Sequence, residues 1–263
     1  MAFIRRDFRI ESSYKLAFLL ETVGALITVL SFHFVGKLVD SGRPASLAKY
    51  GGGYFGFAMV GLAMSQYFVL SLQSFSGAIR RSQMAGCLEA MLSTRTSPGT
   101  VVVLSALYSF LTKTVHIGLV FLVAWLGLGV RFSSANVPAA LGVLALSVLA
   151  FGGLGILAAA ALVVLKKGDP IGWAFSSLSS LVAGALFPVE ILPGWLRTCS
   201  QLVPMTHSLE AMRLALFKGA SLADLRGSLL KLGIMAAVLL PAGIWAFSKA
   251  VDKGRRDGSL LHY

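Results

Sequence analysis

Ionisable residues inside long apolar runs are the first candidates for chemistry in this sequence. Glu21, Lys113 and His116 each interrupt such a run, and Lys113 and His116 are three residues apart. If these runs cross a membrane, charge inside them is costly and marks a substrate or gating site by default. The alternative is structural: Lys113 either extends to the membrane edge or pairs with Glu21.

A second polar set lies in the stretch ALFPVEILPGWLRTCSQLVPMTHSLEAMRLALFKG, residues 185–219. The stretch is too apolar for an ordinary surface loop, yet Pro188, Pro193 and Pro204 interrupt it. Proline lacks an N–H and breaks the hydrogen-bond ladder of a helix, so no single helix of this length crosses a bilayer here. Glu210 and Arg213, three residues apart, can pair on one helix face.

The motifs of several common enzyme classes are missing. No Gly-x-x-x-x-Gly-Lys-Ser/Thr, His-Glu-x-x-His or Gly-x-Ser-x-Gly sequence occurs. The four histidines and the two cysteines are scattered without the spacing of a metal site. We therefore expect no catalytic residue, no cofactor and no metal bound by this chain.

Composition indicates an integral membrane protein. Of the 263 residues 56% are hydrophobic and only 13% are charged, with a mean hydropathy of +0.80. Apolar runs reach the roughly 20 residues that a membrane-spanning helix needs, and they lack the alternation of barrel strands. The sequence predicts an all-α membrane protein with six transmembrane helices, at about residues 16–36, 52–77, 101–130, 137–165, 171–187 and 229–247.

Basic residues divide unequally between the two predicted sides of the membrane. Thirteen lie on the side of the termini: Arg5, Arg6, Arg9, Lys15, Arg80, Arg81, Arg95, Lys166, Lys167, Lys249, Lys253, Arg255 and Arg256. The two short loops on the other side carry four: Lys37, Arg43, Lys49 and Arg131. The positive-inside rule predicts a multi-pass protein of the cell membrane with both termini in the cytoplasm. The net charge of +12 then faces anionic lipid headgroups rather than nucleic acid.

Two segments on the predicted cytoplasmic side have an amphipathic pattern. Residues 1–15 place Ile4 and Phe8 among arginines, which is typical of a helix lying in the membrane interface, although a frayed basic tail is also compatible with the pattern. Residues 78–97 begin with Arg80 and Arg81 and repeat apolar residues at helical spacing before Pro98. Such a helix fits either the groove of a partner protein or the lipid surface.

Three stretches together resemble the permease subunit of ABC-2 type ATP-binding cassette transporters. They are the Arg-rich FIRRDFRIESSYKLAF before the first span, AGCLEAMLSTRTSP after the second, and the proline-punctuated stretch before the last. The second is similar to the family's Gly-Thr-Leu-Glu, leucine and Thr-Pro sequence, with Cys87 in place of the Thr. The resemblance covers essentially the whole chain, which is therefore interpreted as one ABC-2 type transmembrane domain, residues 1–263.

The resemblance implies a machine of two parts. Two permease chains, identical or different, would pair in the membrane, and each would dock on a separate cytoplasmic ATPase subunit that holds ATP and Mg²⁺. The helix at 78–97 would couple the two parts, with the residues Arg80, Arg81, Gly86, Leu88 and Glu89 as its contacts. The resemblance favours export, but the sequence does not indicate the substrate.

The resemblance also implies a function for the stretch at residues 188–218. It would be a re-entrant helical hairpin that dips into the outer leaflet, with short helices at about 193–201 and 205–217, and would act as the outer gate. The residues assigned to it are Phe187, Pro188, Pro193, Trp195, Pro204, Glu210 and Arg213. An amphipathic loop lying on the outer surface is the alternative.

Two other functional classes fit the sequence less well. An ion-coupled secondary transporter usually shows paired acidic residues at mid-membrane or an internal repeat of broken helices, and neither is found in this sequence. A membrane protein without transport function would leave the ordered set of three stretches unexplained.

Overall fold

The long apolar runs of the sequence form helices that pack against one another side by side. The computed structural model describes residues 15–41, 47, 49–51, 53–84, 98–130, 134–165 and 170–256. These residues form eight α-helices, one 3-10 helix and no strand. The α-helices are α1 (Lys15–Ser41), α2 (Gly53–Met84), α3 (Pro98–Leu128), α4 (Val137–Leu165), α5 (Pro170–Val182), α6 (Gly194–Ser200), α7 (Pro204–Lys218) and α8 (Arg226–Arg256).

Five of these helices are long and apolar enough to cross a membrane: α1, α2, α3, α4 and α8. The interior of the bundle lies around α4, which packs along α8, α2 and α7. The candidate span in α2 is 72% buried inside the protein, whereas that in α1 is only 11% buried. A helix that is apolar all round and little buried by protein is suited to contact with lipid. The chain is therefore a multi-pass, all-helical membrane protein.

Helices α4 and α8 run parallel and touch backbone to backbone. Ala150 packs with Leu232, while Ile156 packs with Phe247 further along both helices. Between these levels a Cβ added at Gly153 would lie 2.6 Å from the carbonyl carbon of Leu239. Small residues allow such close approach, and packing then replaces the hydrophobic effect as the attraction between helices in lipid.

The N-terminal ends of α2 and α4 are capped by polar side chains. The Asp40 carboxylate, at the end of α1, accepts a hydrogen bond of 2.8 Å from the backbone N–H of Tyr54. Asn136 accepts one of 3.1 Å from the N–H of Ala139. Each cap satisfies a donor that has no partner within its own helix.

The fifth predicted span differs from the structure. It was expected over residues 171–187, but α5 ends at Val182, and its 13 residues are too few to be a candidate span. The cause is a C-terminal cap in which Gly184 has a φ of 78°, and the Ala185 N–H bonds the Ser180 carbonyl. This 6→1 bond with a left-handed glycine is the Schellman motif, which stops a helix.

Helix α2 extends past the predicted end of the second span. Its candidate membrane-spanning part is Gly53–Phe75, close to the predicted bounds, but the helix continues without a break to Met84, so residues 78–84 do not begin a separate helix. Gly77 alone does not interrupt a helix that has no proline at this point. The predicted interfacial helix up to residue 14 and the rest of the predicted coupling helix, residues 85–97, lie outside the described residues.

Candidate functional site

The first polar site surrounds Arg213, a buried residue of α7 with 2% of its surface exposed. Its guanidinium donates hydrogen bonds to three backbone carbonyl oxygens. Nη2 donates to Ala185 at 2.8 Å and to Phe57 at 3.1 Å, and Nη1 donates to Gly184 at 3.1 Å. One side chain of α7 thus ties together α2 and the turn after α5.

A buried charge is tolerated only when it is well hydrogen-bonded. The backbone carbonyl oxygens of Gly184 and Ala185, in the turn that follows the last residue of α5, are suitable acceptors for it. The guanidinium also lies 3.3 Å from the ring centroid of Phe57, a cation–π contact. Burial lowers the pKa of Arg213 to about 9, so the group stays charged at neutral pH.

Gly61 allows the turn after α5 to approach α2 closely. A Cβ added at Gly61 would collide with the carbonyl oxygen of Ala185, the same oxygen that accepts a bond from Arg213. Gly155 is a second close contact, since it lies against the carbonyl of Ser71. Sequence alone did not indicate which of the 28 glycines have this role.

The predicted pair between Glu210 and Arg213 is not formed. Glu210 instead accepts a 2.8 Å bond from Lys49, and Lys49 also lies 3.6 Å from Glu190. Arg213 faces the opposite direction because its carbonyl partners lie inside the protein. For Lys49, burial opposes the charge, but the Glu210 carboxylate outweighs it and raises the pKa of the amine above its ordinary value. No sequence pattern indicates the ion pairs of Lys49, because both partners lie more than 140 positions away.

Helix α7 runs from near the N-terminal end of α4 towards the middle of α4. Near its C-terminal end, the Ala215 carbonyl accepts a bond from the N–H of Asn136, which precedes α4. Near its N-terminal end, Ser208 and Ser147 share a hydrogen bond of 2.7 Å. Asn136 and Ser147 are 11 positions apart in the chain, which corresponds to roughly 16 Å along a helix. The Pro204 end of α7 therefore lies nearer to the middle of α4 than its other end does.

Helices α6 and α7 differ in burial. Both begin and end within one residue of the bounds predicted at 193–201 and 205–217. In α7 ten residues are buried, whereas α6 buries only Ser200. Trp195 and Leu202 have exposed fractions of 69% and 77%. Phe187, Pro188 and Pro193 lie in the connection that leads to α6, where Val189–Ile191 forms the 3-10 helix.

A second polar cluster joins α1, α2 and α3. The Lys113 ammonium donates to Glu21 Oε1 at 2.6 Å and to Gln66 Oε1 at 2.9 Å. The structure therefore forms the pair between Lys113 and Glu21 that the sequence left as one interpretation. His116 lies beside it, with Nδ1 3.5 Å from Thr22 Oγ1. Gln66 was missed in the sequence, although an amide inside an apolar run is a usable signal.

The remaining predicted site residues are not brought into either cluster by the described structure. Gly86, Leu88 and Glu89 lie outside the described residues, and the side chains of Arg80 and Arg81 are likewise not described. Among the side chains that are described, no group of three His, Cys, Asp or Glu residues could hold a metal ion. The arrangement holds helices in place and lines their contacts.

Comparison with known proteins identifies the family of this chain. A search of curated proteins finds no match to this chain. The model of one protein family, described as ABC-2 type transporter, matches residues 2–217. The matched range covers the first two stretches that carry the resemblance and all but the last two residues of the third, and it ends one residue before the end of α7. The chain therefore belongs to the ABC-2 type transporter family and is a multi-pass membrane permease.

Proposed function

We propose that this chain is the permease subunit of an ATP-driven exporter, in which two permease chains form the pathway and each docks on a separate ATPase. The observation that carries the proposal is the family match over residues 2–217. Members of this family generally work with an ATPase subunit. The sequence has no phosphate-binding loop of its own, so ATP and Mg²⁺ would be held by the partner, and this chain would not be an enzyme.

Six crossings are the proposed topology, although α5 is short. Because α4 and α8 run parallel, both start on the same side of the bundle. The chain between Leu165 and Arg226 must therefore return once from the far end of α4. We infer that α5 provides the inner part of this crossing and that the segment with α6 and α7 completes it. The basic residues on the side of the termini support a cytoplasmic location for both ends.

The segment from Pro188 to Lys218 is proposed to be a re-entrant hairpin that caps the pathway. Its first part lies near Lys49 through Glu190, and its last residue, Lys218, lies near Gly51, where an added Cβ would be 3.9 Å from the lysine side chain. Its turn at 201–203 lies near the level of Ser147, through Ser208. Irregular backbone at membrane depth needs partners from protein or from a water-filled cavity. The Arg213 bonds supply such partners for the turn after α5.

Coupling to the ATPase is assigned to the segment after α2. Gly86, Leu88 and Glu89 match the family motif in the sequence, and α2 extends as a helix to Met84, immediately before them. A continuous helix transmits a displacement of its cytoplasmic end to the Arg213 site near its other end. Arg80 and Arg81 lie in the last part of this helix.

Co-purification is the direct test. The tagged chain, expressed with its ATPase, should retain that subunit and show ATP hydrolysis that responds to a panel of candidate substrates. Replacing Glu89 with Lys should lower substrate-stimulated hydrolysis by roughly fivefold or more, with membrane insertion unchanged. Asp252→Lys is the matched charge reversal, since Asp252 is exposed near the end of α8, and should have little effect.

Two results would contradict the proposal. If no ATPase co-purifies in detergent or in nanodiscs, the machine of two parts is wrong. If Glu89→Lys stimulates hydrolysis as well as the wild type does, the coupling role of this residue is wrong even if the complex forms.

A further inference from the structure

The cluster of Glu21, Lys113 and Gln66 adjoins an apolar cleft between α1, α2 and α3. The cleft encloses about 60 Å³ and is lined by residues of all three helices. These include Ala25 and Thr28 of α1, Met59 and Gln66 of α2, and Ile117 and Phe121 of α3. Gln66 belongs to both features, because its Oε1 accepts a bond from Lys113. The charged pair and the cleft therefore form one continuous site.

The two parts of this site are arranged along the helix axes. Ala25 and Thr28 follow Glu21 by about one and two turns of α1, and Ile117 follows Lys113 by about one turn of α3. The charged pair thus lies at the end nearer to Lys15, and the cleft continues from it towards the middle of the helices. A phospholipid has the same layout, with charge at the membrane surface and chains that extend inwards.

Charged groups in the pair have unused bonding capacity. The Lys113 ammonium has three donors, and the described bonds use two of them, to Glu21 and Gln66. The described bond to Glu21 uses one of its two carboxylate oxygens. The side chain of Glu21 is 56% exposed and that of Lys113 is 18% exposed. One cationic donor and one anionic acceptor therefore remain for a ligand.

We propose that this site binds one phospholipid with a zwitterionic phosphoethanolamine headgroup. The lipid phosphate would accept a bond from Lys113, and the lipid ammonium would donate to Glu21. Part of one acyl chain would fill the cleft, and the rest would lie on the exposed apolar side chains beside it, such as Ile27 and Leu122. An anionic lipid such as phosphatidylglycerol would make only the contact between its phosphate and Lys113. It has no ammonium group for Glu21, and its negative charge would be repelled by the Glu21 carboxylate.

Native mass spectrometry of the full-length chain in detergent tests the headgroup. With phosphatidylethanolamine and phosphatidylglycerol supplied in equal amounts, the wild type should retain the former about fivefold more. Glu21→Gln, which is nearly isosteric, should abolish this preference because a neutral amide removes the anionic partner. Lys113→Met should lower the binding of both lipids, whereas Lys37→Met, at the other end of α1, should lower neither.

Two variants at adjacent residues test whether the lipid chain occupies the cleft. Ala25→Phe fills the cleft and should reduce retention of either lipid. Gly24→Phe adds the same ring where no atom lies within 4 Å of an added Cβ, and should not reduce it. Elution volume and melting temperature identify any variant that fails to fold, and the selectivity of Glu21→Gln then remains as the decisive measurement.

Several outcomes would overturn the proposal. Equal retention of the two lipids by the wild type would show that the pair does not select a zwitterion. Displacement of the lipid by soluble phosphoethanolamine alone would make a free headgroup compound the ligand. A photoreactive residue at position 28 that crosslinks to a second copy of the chain, and not to lipid, would make the cleft a protein interface. None of these readouts involves transport, so they are independent of the proposed function.

Discussion

Arg213, on α7, connects that helix with α2 and with the turn after α5. Its three carbonyl acceptors come from α2 and from the turn after α5, at Phe57, Gly184 and Ala185. The guanidinium suits this task because its donors have a fixed planar geometry and its charge is weakly hydrated. Lysine could retain the charge, but not three acceptors at these separations.

Arg213→Met should destabilise the protein strongly, because the carbonyls would lose their donor while they remain buried. An unsatisfied buried polar group costs about 1–3 kcal/mol, which corresponds to a fall of roughly 2–12 °C in apparent melting temperature. Arg213→Lys should lie between this variant and the wild type. Glu210→Gln is the control: it removes only the half-exposed pair with Lys49 and should cost about 1 kcal/mol or less. A larger loss for Glu210→Gln than for Arg213→Met would contradict this arrangement.

His207 makes stability depend on acid pH. Only 2% of His207 is exposed, and its Nε2 lies 2.9 Å from the Gln201 carbonyl oxygen. Burial lowers the pKa of the imidazole below its ordinary 6.5 and outweighs both this bond and the charge of Glu210. The unfolded chain therefore binds more protons between the two pKa values, and stability falls as pH drops below 6.5.

The predicted size of this effect is at most about 1.4 kcal/mol at pH 5.5, one unit below the unfolded pKa. The apparent melting temperature of the wild type should fall between pH 7.5 and pH 5.5, and His207→Gln should reduce the fall. Glutamine keeps a donor for the Gln201 carbonyl but cannot be protonated. If the melting temperature falls equally in both proteins, groups other than His207 cause the sensitivity to acid.

At the scale of helices, Gly184 determines where α5 ends. Its φ of 78° is strained for any residue with a Cβ, at about 1–2 kcal/mol. An added Cβ would also lie 2.6 Å from Val189 Cγ2. We expect Gly184→Ala to lower the apparent melting temperature by roughly 2–8 °C. Gly194→Ala, in α6 with open space around it, should leave it unchanged or raise it, and equal effects would argue against the cap.

Hydropathy was sufficient to predict most of the helices and insufficient for their ends. The apolar run at 137–165 coincides with α4, since a run without charge or central proline has no competing structure. The run at 171–187 does not reveal where α5 ends, because Gly184 lies within it and hydropathy does not distinguish a glycine inside a helix from one in a cap. Prolines at 193 and 204 were more informative, because each begins or precedes a short helix.

Contacts between distant side chains could not be predicted in the same way. The spacing of Glu210 and Arg213 predicts a pair, but the buried Arg213 donates to backbone carbonyls instead. Every residue has a backbone carbonyl, so such a contact leaves no signal in the sequence. Lys113 and Glu21 were found because charge is rare inside apolar runs. Gln66, their third partner, is polar but uncharged and was missed.

At the scale of the whole molecule, the depth of the hairpin can be measured by thiol labelling. The exposed fraction of Leu202 is 77% and that of Leu222 is 50%, so neither is shielded by the protein itself. In a background without Cys87 and Cys199, Leu202→Cys should react with a membrane-impermeant reagent from outside roughly tenfold more slowly than Leu222→Cys, because thiolates form poorly in apolar surroundings. Equal rates would leave the segment as an ordinary outer loop.

The contact between α4 and α8 limits which glycines can be replaced in related sequences. At Gly153 and Gly243 an added Cβ would meet the backbone of the other helix within 2.7 Å, whereas at Gly24, Gly118 and Gly233 it would meet nothing within 4 Å. Backbone cannot move aside as a flexible side chain can. In related lineages we expect the first two positions to stay glycine while the other three exchange freely with alanine or serine, and an alignment in which both groups vary alike would contradict the crossing.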